Sequence, residues 1–412
     1  MEEKKEYYRG LRTGIISALV IALSVFLLFI ISNKIKNLGF DFGSSNGNES
    51  QIESIYGKGS ADKLKLIQQY IDAYYIEDPD KEDVLVGMMK GMITSLEDPY
   101  SVYYTSEEYA DLMTSTSGSY YGIGVSVNQN QETGVITIVK VFKTSPAREA
   151  GMKDGDILYA VEGKEVTGQD LSSVVAEIRG KKNTKVNVTV LRNGEKIDLS
   201  IERREVEMDT VEYKMLDNGV GYLYISEFDG VTTNQVENAI KDLLSQGMTS
   251  IVVDLRDNPG GRLDVVEDIM DMFLPKDKLL MYMEYKSGER KDSYSRTNGL
   301  IPDMPMTVLI NQNSASASEL FTGAIQSYER GTIVGVTSFG KGIVQSIFQL
   351  EDGTALKLTT AKYYLPNGKN IHKEGITPDV VVELPEGVRS CWDLSEEEDN
   401  QLQKAVSLLI ES

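Results

Sequence analysis

The chain has 412 residues, 41% of them hydrophobic, with 42 Lys and Arg against 63 Asp and Glu and a formal net charge of −21. That length and apolar content can bury the cores of two or three domains, and an acidic chain with no basic stripe to neutralise phosphates is not a nucleic-acid-binding protein. The single cysteine, Cys391, excludes an intramolecular disulfide and a cysteine-based metal site; neither metal nor cofactor is expected.

In chain order, residues 1–12 carry Lys4, Lys5, Arg9 and Arg12, and residues 13–33 are uncharged and rich in Ile, Leu, Val, Phe and Ala. Such a run can cross ~30 Å of hydrocarbon at about 1.5 Å per residue. With only Lys34 and Lys36 close behind it, the charge bias puts a short tail in the cytoplasm, an anchor at 13–33, and the rest outside. A cleaved signal peptide is the alternative, but Ile30-Ile-Ser-Asn-Lys34 lacks a small-x-small cleavage pattern. Residues 34–60, rich in Gly, Ser and Asn, read as a flexible linker. A helical region follows at 61–112, with Leu64, Ile67 and Ile71, then Val84, Met88, Met92 and Leu96, at helical spacing; core packing is the ordinary use of such stripes.

Residues 113–203 hold Gly122-Ile123-Gly124-Val125, the alternation Val135-Ile-Thr-Ile-Val139, and Ser145-Pro-Ala-Arg-Glu-Ala-Gly-Met-Lys-Asp-Gly-Asp-Ile-Leu158. Together these resemble a PDZ domain of the exported bacterial type. The resemblance implies that amides around Gly122, Ile123, Gly124 and Val125 receive a terminal carboxylate while the peptide adds as a strand; a plain turn is the alternative. Asp170 to Ile178 would be the helix along the groove, with Arg179 just beyond it.

Residues 204–385 read as mixed α/β: strands at Val220–Ser226 and Ser250–Leu255 around a helix at Thr233–Ser245, another strand at Met306–Ile310, and a helix at Glu319–Glu329. Residues 386–412 form a carboxyl-terminal helical segment. Within the α/β region, Asn313-Ser314-Ala315-Ser316-Ala317-Ser318-Glu319 is suited to present a serine, although Ser316 with Glu319 also spells a helix capping box. Lys341 follows in Gly340-Lys341-Gly342, and a neutral lysine amine is one of the bases that activates serine. Bringing a lysine from ~10.4 to roughly 7 or 8 takes about 3 to 5 kcal/mol in favour of the neutral amine. Burial has the right sign, with Ile343, Val344, Ile347 and Phe348 as candidate walls. The lone histidine, His372, is expected in a surface loop without a role.

These motifs, with Asp98-Pro-Tyr-Ser101, Asp254-Leu-Arg-Asp-Asn-Pro-Gly-Gly261, Gln345 and Gly375-Ile-Thr-Pro-Asp379, resemble the carboxyl-terminal processing peptidases, or tail-specific proteases. The resemblance implies an α+β protein with an amino-terminal helical segment, a β-rich PDZ domain with two helices, and a serine/lysine protease domain. It implies that Ser316 is the nucleophile, Lys341 the general base and Gln345 the residue orienting the lysine. Oxyanion-hole amides would come from Gly260 or Gly261 and from Ala317. Substrates would be proteins or peptides with free carboxyl termini, and the amino-terminal helices could form a homodimer. Two other readings compete. Gly335 to Lys341 has the glycines and lysine of a phosphate-binding loop, but Gly342 stands where the magnesium-binding Ser or Thr belongs. A catalytically silent PDZ scaffold remains the second.

Overall fold

The structure is a computed structural model that describes residues 57–142 and 144–411. The proposed cytoplasmic tail, the uncharged run at 13–33 and nearly all of the linker lie outside the described residues. Among the described residues, no helix is long and apolar enough to cross a membrane. The chain divides into two compact units, Met1–Asp83 and Val84–Ser412.

Helix α1 (Lys58–Tyr74) is the described part of the first unit, and α2 (Lys81–Thr94) begins at the boundary. Both lie where the periodicity puts them, but no residue of either is buried. Leu64, Ile67, Met88 and Met92 are about half exposed, so the core packing expected of them is absent. Helical periodicity reports which face is apolar and not what covers it.

The second unit continues with β1 (Val102–Tyr104) and α3 (Ser106–Ser117), the latter started by a Thr105/Glu108 capping box. A β-rich module follows: β2 (Ser119–Gly122), β3 (Val125–Gln129), β4 (Ile136–Val141), α4 (Pro146–Glu149), β5 (Ile157–Val161), β6 (Lys164–Glu165), α5 (Leu171–Ile178), β7 (Lys185–Arg192), β8 (Glu195–Glu202) and β9 (Arg204–Glu207). Strands β3-β4-β5-β7-β8 form one sheet, with β3 at its edge, and β2 pairs with β9. Ile136, Ile138, Val161, Val186, Val190 and Ile201 are among the alternating residues that fill its core.

The larger α/β part comprises β10 (Val211–Met215), β11 (Val220–Ile225), α6 (Thr232–Ser245), β12 (Ser250–Asp254), α7 (Leu263–Phe273), β13 (Leu279–Tyr285), β14 (Arg290–Tyr294), β15 (Met306–Ile310), α8 (Ala317–Ser327), β16 (Thr332–Gly335), β17 (Ile343–Gln349), β18 (Ala355–Tyr364), β19 (Val380–Val381) and α9 (Asn400–Ile410). Its central sheet runs β10-β11-β12-β15-β16-β19, parallel from β11 onward with β10 antiparallel at the edge. A parallel sheet buries both faces, and the residues alternate accordingly. Leu223, Ile251, Val253, Val308 and Ile333 pack with α6, α7 and α8, whereas Tyr222, Val252, Leu309 and Val334 pack with Leu402 and Ala405 of α9. A second sheet, β1-β18-β13-β14 with β17 on β18, carries the segment after Lys341.

Candidate active site

Three loops leave the carboxyl ends of neighbouring parallel strands: Asp254 to Gly261 after β12, Asn311 to Ser316 after β15, and Val336 to Lys341 after β16. The ends of parallel strands are where open α/β sheets bind ligands. Ser316 sits at the start of α8 with φ 55° and ψ −111°, a conformation that costs a non-glycine residue on the order of 1–3 kcal/mol. The surrounding hydrogen bonds impose it. Ser314 Oγ donates to the Leu255 carbonyl at 2.7 Å, and Ser318 Oγ to the Asn258 carbonyl at 2.9 Å. The Ala315 amide also donates to the Asn258 carbonyl, at 3.0 Å. Ser314 and Ser318 are fully buried pegs; Ser316 between them is half-buried.

The capping box is used asymmetrically. Glu319 Oε2 accepts from the Ser316 amide at 2.9 Å, while the Glu319 amide donates to the Ser316 carbonyl, also at 2.9 Å. The Ser316 hydroxyl makes no cap hydrogen bond and stays available for chemistry. The same fully buried carboxylate accepts from Ser338 Oγ (2.6 Å), the Gly340 amide (2.7 Å) and the Lys341 amide (2.8 Å). Glu319 therefore ties the serine loop to the lysine loop. The spelling Ser-x-x-Glu exposed half of this role, and nothing local in the sequence could expose the other half.

Gly260 and Gly261 have φ of 106° and 141°, and both pass close to other backbone. A Cβ on Gly260 would stand 2.7 Å from the Ala315 carbonyl oxygen and 2.8 Å from Ser316 Cβ, and one on Gly261 would stand 2.3 Å from the Phe228 carbonyl oxygen. Only glycine fits. The two amides differ. Gly260 is buried and its N–H donates to Asn258 Oδ1 at 2.8 Å, so the expectation that Gly260 is an oxyanion donor is corrected: its proton is already engaged. Gly261 is exposed, and neither its amide nor that of Ala317 is hydrogen-bonded among the described residues.

Lys341 is half-buried, with Nζ 4.7 Å from the centroid of the Tyr100 ring. Burial, then the charge of Lys357, pushes the amine below the ordinary lysine value, against the opposing pull of Glu319 and Asp98. The walls are not those expected. Ile343 is buried, but Ile347 and Phe348 are 42% and 47% exposed, at the far end of a strand that is paired on one side only, with β18. Tyr100 supplies the contact instead, from the turn that Asp98 organises by accepting from the Tyr100 amide (3.1 Å) and Ser101 Oγ (2.6 Å). Gln345 lies just past a register shift between Val344 and Gln345, the bend that four residues needed. Its Nε2 nonetheless donates to Thr359 Oγ1 at 3.2 Å and not to the lysine. His372 is less peripheral than expected: a Cβ on Gly342 would be 2.6 Å from its backbone nitrogen, and its Nδ1 is buried without a hydrogen-bond partner among the described residues.

At the other glycine loop, Gly122, Ile123 and Gly124 are buried and Val125 half-buried. Burial raises the Tyr120 phenol above its ordinary value, while the nearby Arg179 charge and the Val125 backbone work the other way. The Arg179 guanidinium lies 5.0 Å from the ring centroid. Beside them runs a groove of about 990 Å³, lined by Tyr120, Tyr121, Leu171, Val175 and Arg179 and, from α3, by Asp111.

Comparison with known proteins gives three family matches: peptidase family S41 over residues 219–382, a PDZ domain over 121–202, and the N-terminal domain of the activating protease CtpB over 31–108. The chain is 37% identical to the carboxy-terminal processing protease CtpA of Bacillus subtilis (strain 168) over 344 residues, 82% of this chain and 73% of that protein. It is 37% identical to CtpB of the same organism over 330 residues, 79% of this chain and 68% of that protein. The chain thus belongs to the carboxy-terminal processing proteases, serine peptidases of family S41 that carry a PDZ domain.

Proposed function

We propose that this serine peptidase is a membrane-anchored, extracytoplasmic endopeptidase that uses a Ser316/Lys341 dyad and recruits protein tails through its PDZ module. The observation that carries the reading is that loops leaving the carboxyl end of the sheet bring together a Ser316 hydroxyl that donates no hydrogen bond, two unbonded amides at Gly261 and Ala317, and a lysine whose pKa is lowered. Lys341 Nζ, once neutral, takes the Ser316 Oγ proton as that oxygen attacks the scissile carbonyl. The carbonyl oxygen becomes an oxyanion that the Gly261 and Ala317 amides stabilise. Lys341 then returns the proton to the leaving amine, and water, activated by the same lysine, hydrolyses the acyl-enzyme. For this the amine leaves the Tyr100 ring and turns to Ser316, and Gln345 gives up its bond to Thr359 to orient it.

The module boundaries proposed are 113–203 for the PDZ domain and 204–385 for the protease core. The anchor rests on the uncharged run at 13–33, and pairing of two chains rests on the exposed apolar stripes of α1 and α2. The β3 edge and the groove beside α5 suit an added peptide strand. Hydrolysis of unfolded casein tests the core of the reading. Ser316→Ala should abolish cleavage while melting within a few degrees of the parent, since it removes one oxygen and no core volume. Cleavage by Ser316→Ala at the parent rate would reject the nucleophile, and an inert parent would leave a tail-binding scaffold.

A further inference from the structure

The turn that carries Gly261 is held from outside the region matching the peptidase family, which ends at residue 382. Arg256, 1% exposed, lies between two carboxylates. Its Nε and Nη2 donate to Asp254 at 3.0 and 2.6 Å, and its Nη1 and Nη2 donate to Asp399 at 3.0 and 2.8 Å. Gln401 Oε1 accepts from Nη1 at 3.1 Å, and Tyr222 Oη donates to Asp254 at 2.8 Å. The next residue, Asp257, has φ 58°, an uncommon conformation for a residue with a Cβ. Three donors fix its side chain: Asn311 Nδ2 at 2.9 Å, Asn313 Nδ2 at 2.7 Å, and the indole Nε1 of Trp392 at 2.7 Å. The Trp392 ring is also braced, 4.6 Å from Tyr224 and 5.8 Å from the Arg256 guanidinium.

Two consecutive residues of the turn are therefore gripped by residues 392–401, and the turn continues within four residues through Asn258 to the two glycines. Asn311 and Asn313 belong to the serine loop, so Asp257 joins both halves of the site to the carboxyl-terminal segment. We infer that this segment is a positioning element for catalysis: Trp392, through Asp257, and Asp399, through Arg256, hold the turn in the geometry that presents the Gly261 amide to the reacting carbonyl. The inference rests on the proposed role of Gly261 and deepens it. Neither residue touches substrate. They act through the turn, and the property they govern is stabilisation of the tetrahedral intermediate, since an oxyanion donor has effect only at its correct distance.

The test uses the full chain, a fluorogenic peptide taken from a casein cleavage site, and a peptide boronate that forms a tetrahedral adduct with serine. Trp392→Phe keeps an aromatic ring against Tyr224 and Arg256 and deletes the indole N–H with part of the indole. Its kcat should fall about 10-fold, part of the full 10²–10³-fold worth of such a donor, with KM within about 2-fold of the parent and boronate inhibition weakened in step with kcat. Asp399→Asn, which keeps a cap acceptor for the Leu402 amide, should move the same quantities in the same direction. Parent-like kcat and boronate affinity in folded Trp392→Phe would overturn the inference. So would a loss in both variants that vanishes once rates are divided by the folded fraction, because the segment would then be structural alone. Ser316→Ala in parallel separates the two levels: if it is inert while Trp392→Phe is parent-like, the dyad stands and the positioning role falls; if it cleaves, both fall.

Discussion

Two glycine turns in this chain are built on the same principle and left in opposite states. At Gly260-Gly261 the backbone is locked by Asn258, Asp257 and Arg256, and the Gly261 amide is open. At Gly122 to Val125 the glycines are buried, and the half-buried Val125 backbone lies against the Tyr120 phenol. The locked turn rests on the ends of parallel strands, where buried side chains can fix every peptide plane. The covered turn joins β2, which pairs only with β9, to the edge strand β3, and the Tyr120 phenol lies beside it. On the proposed reading, the chemistry is preorganised in the backbone, whereas recognition has to open a covered turn. Preorganised donors cost no reorganisation at the moment of reaction; a covered pocket lowers affinity by the free energy needed to open it.

The comparison is broken most severely by removing the base. Lys341→Arg should be as inactive as Lys341→Ala, on the order of 10⁴-fold below the parent, since a guanidinium keeps its proton. The sign of the pH dependence follows from the lowered pKa of Lys341. The neutral amine gains population as pH rises, so kcat/KM should climb through an inflection below the ordinary lysine range. Because the Lys357 charge helps push Lys341 down, Lys357→Met should move that inflection to higher pH. Appreciable turnover by Lys341→Arg would make the lysine a mere structural cation.

Glu319 probes whether the lock matters as much as the reacting groups. Its carboxylate accepts four hydrogen bonds while fully buried, and Glu319→Gln replaces half of that acceptor with a donor facing donors. The buried mismatch should lower stability by about 1–3 kcal/mol, seen in chemical denaturation. Misaligning serine against lysine should also cut kcat by roughly 10²-fold. An equal kcat in the folded variant would show that the two loops hold their places unaided.

Much of this was legible before the fold was known. The βαβ unit at 220–254, the strand at 306–310 and the helix before Arg179 lie within a residue or two of where the apolar pattern puts them, because the strands are continuous apolar runs buried on both faces and the helices bury one apolar stripe. The three serines illustrate the limit. Spacing could not separate Ser314, Ser316 and Ser318, since what separates them is contact with Leu255 and Asn258, about 60 residues away in sequence. Asn258, which occupies the Gly260 amide, and Tyr100, which lies against Lys341, were invisible for the same reason. Conversely, Ile347 and Phe348 looked like pocket walls only because a run of apolar residues does not reveal that its strand has an open edge. The serines also yield a smaller effect: Ser318→Ala should remain active and lose about 1 kcal/mol in denaturation, where a catalytic role would remove activity at unchanged stability.

The mildest perturbation tests the covered turn itself. Tyr120→Phe keeps the ring beside Arg179 and removes only the hydroxyl that lies against the Val125 backbone. If the Val125 amide is one of the donors for a substrate carboxylate, the variant uncovers it, and a peptide with a free apolar carboxyl terminus should bind more tightly. One hydrogen bond of about 0.5–1.5 kcal/mol corresponds to roughly a 2- to 12-fold gain. The measurement is best made in the Ser316→Ala background, where the peptide survives the titration. The same peptide carrying a terminal amide is the control: it lacks the charge that makes such bonds strong, so it should bind more weakly to both forms and gain little from the substitution. Equal gains for acid and amide would assign the effect to a loosened groove. No gain for either would mean that Tyr120 fills a structural turn, and that tails are captured elsewhere along β3 and α5.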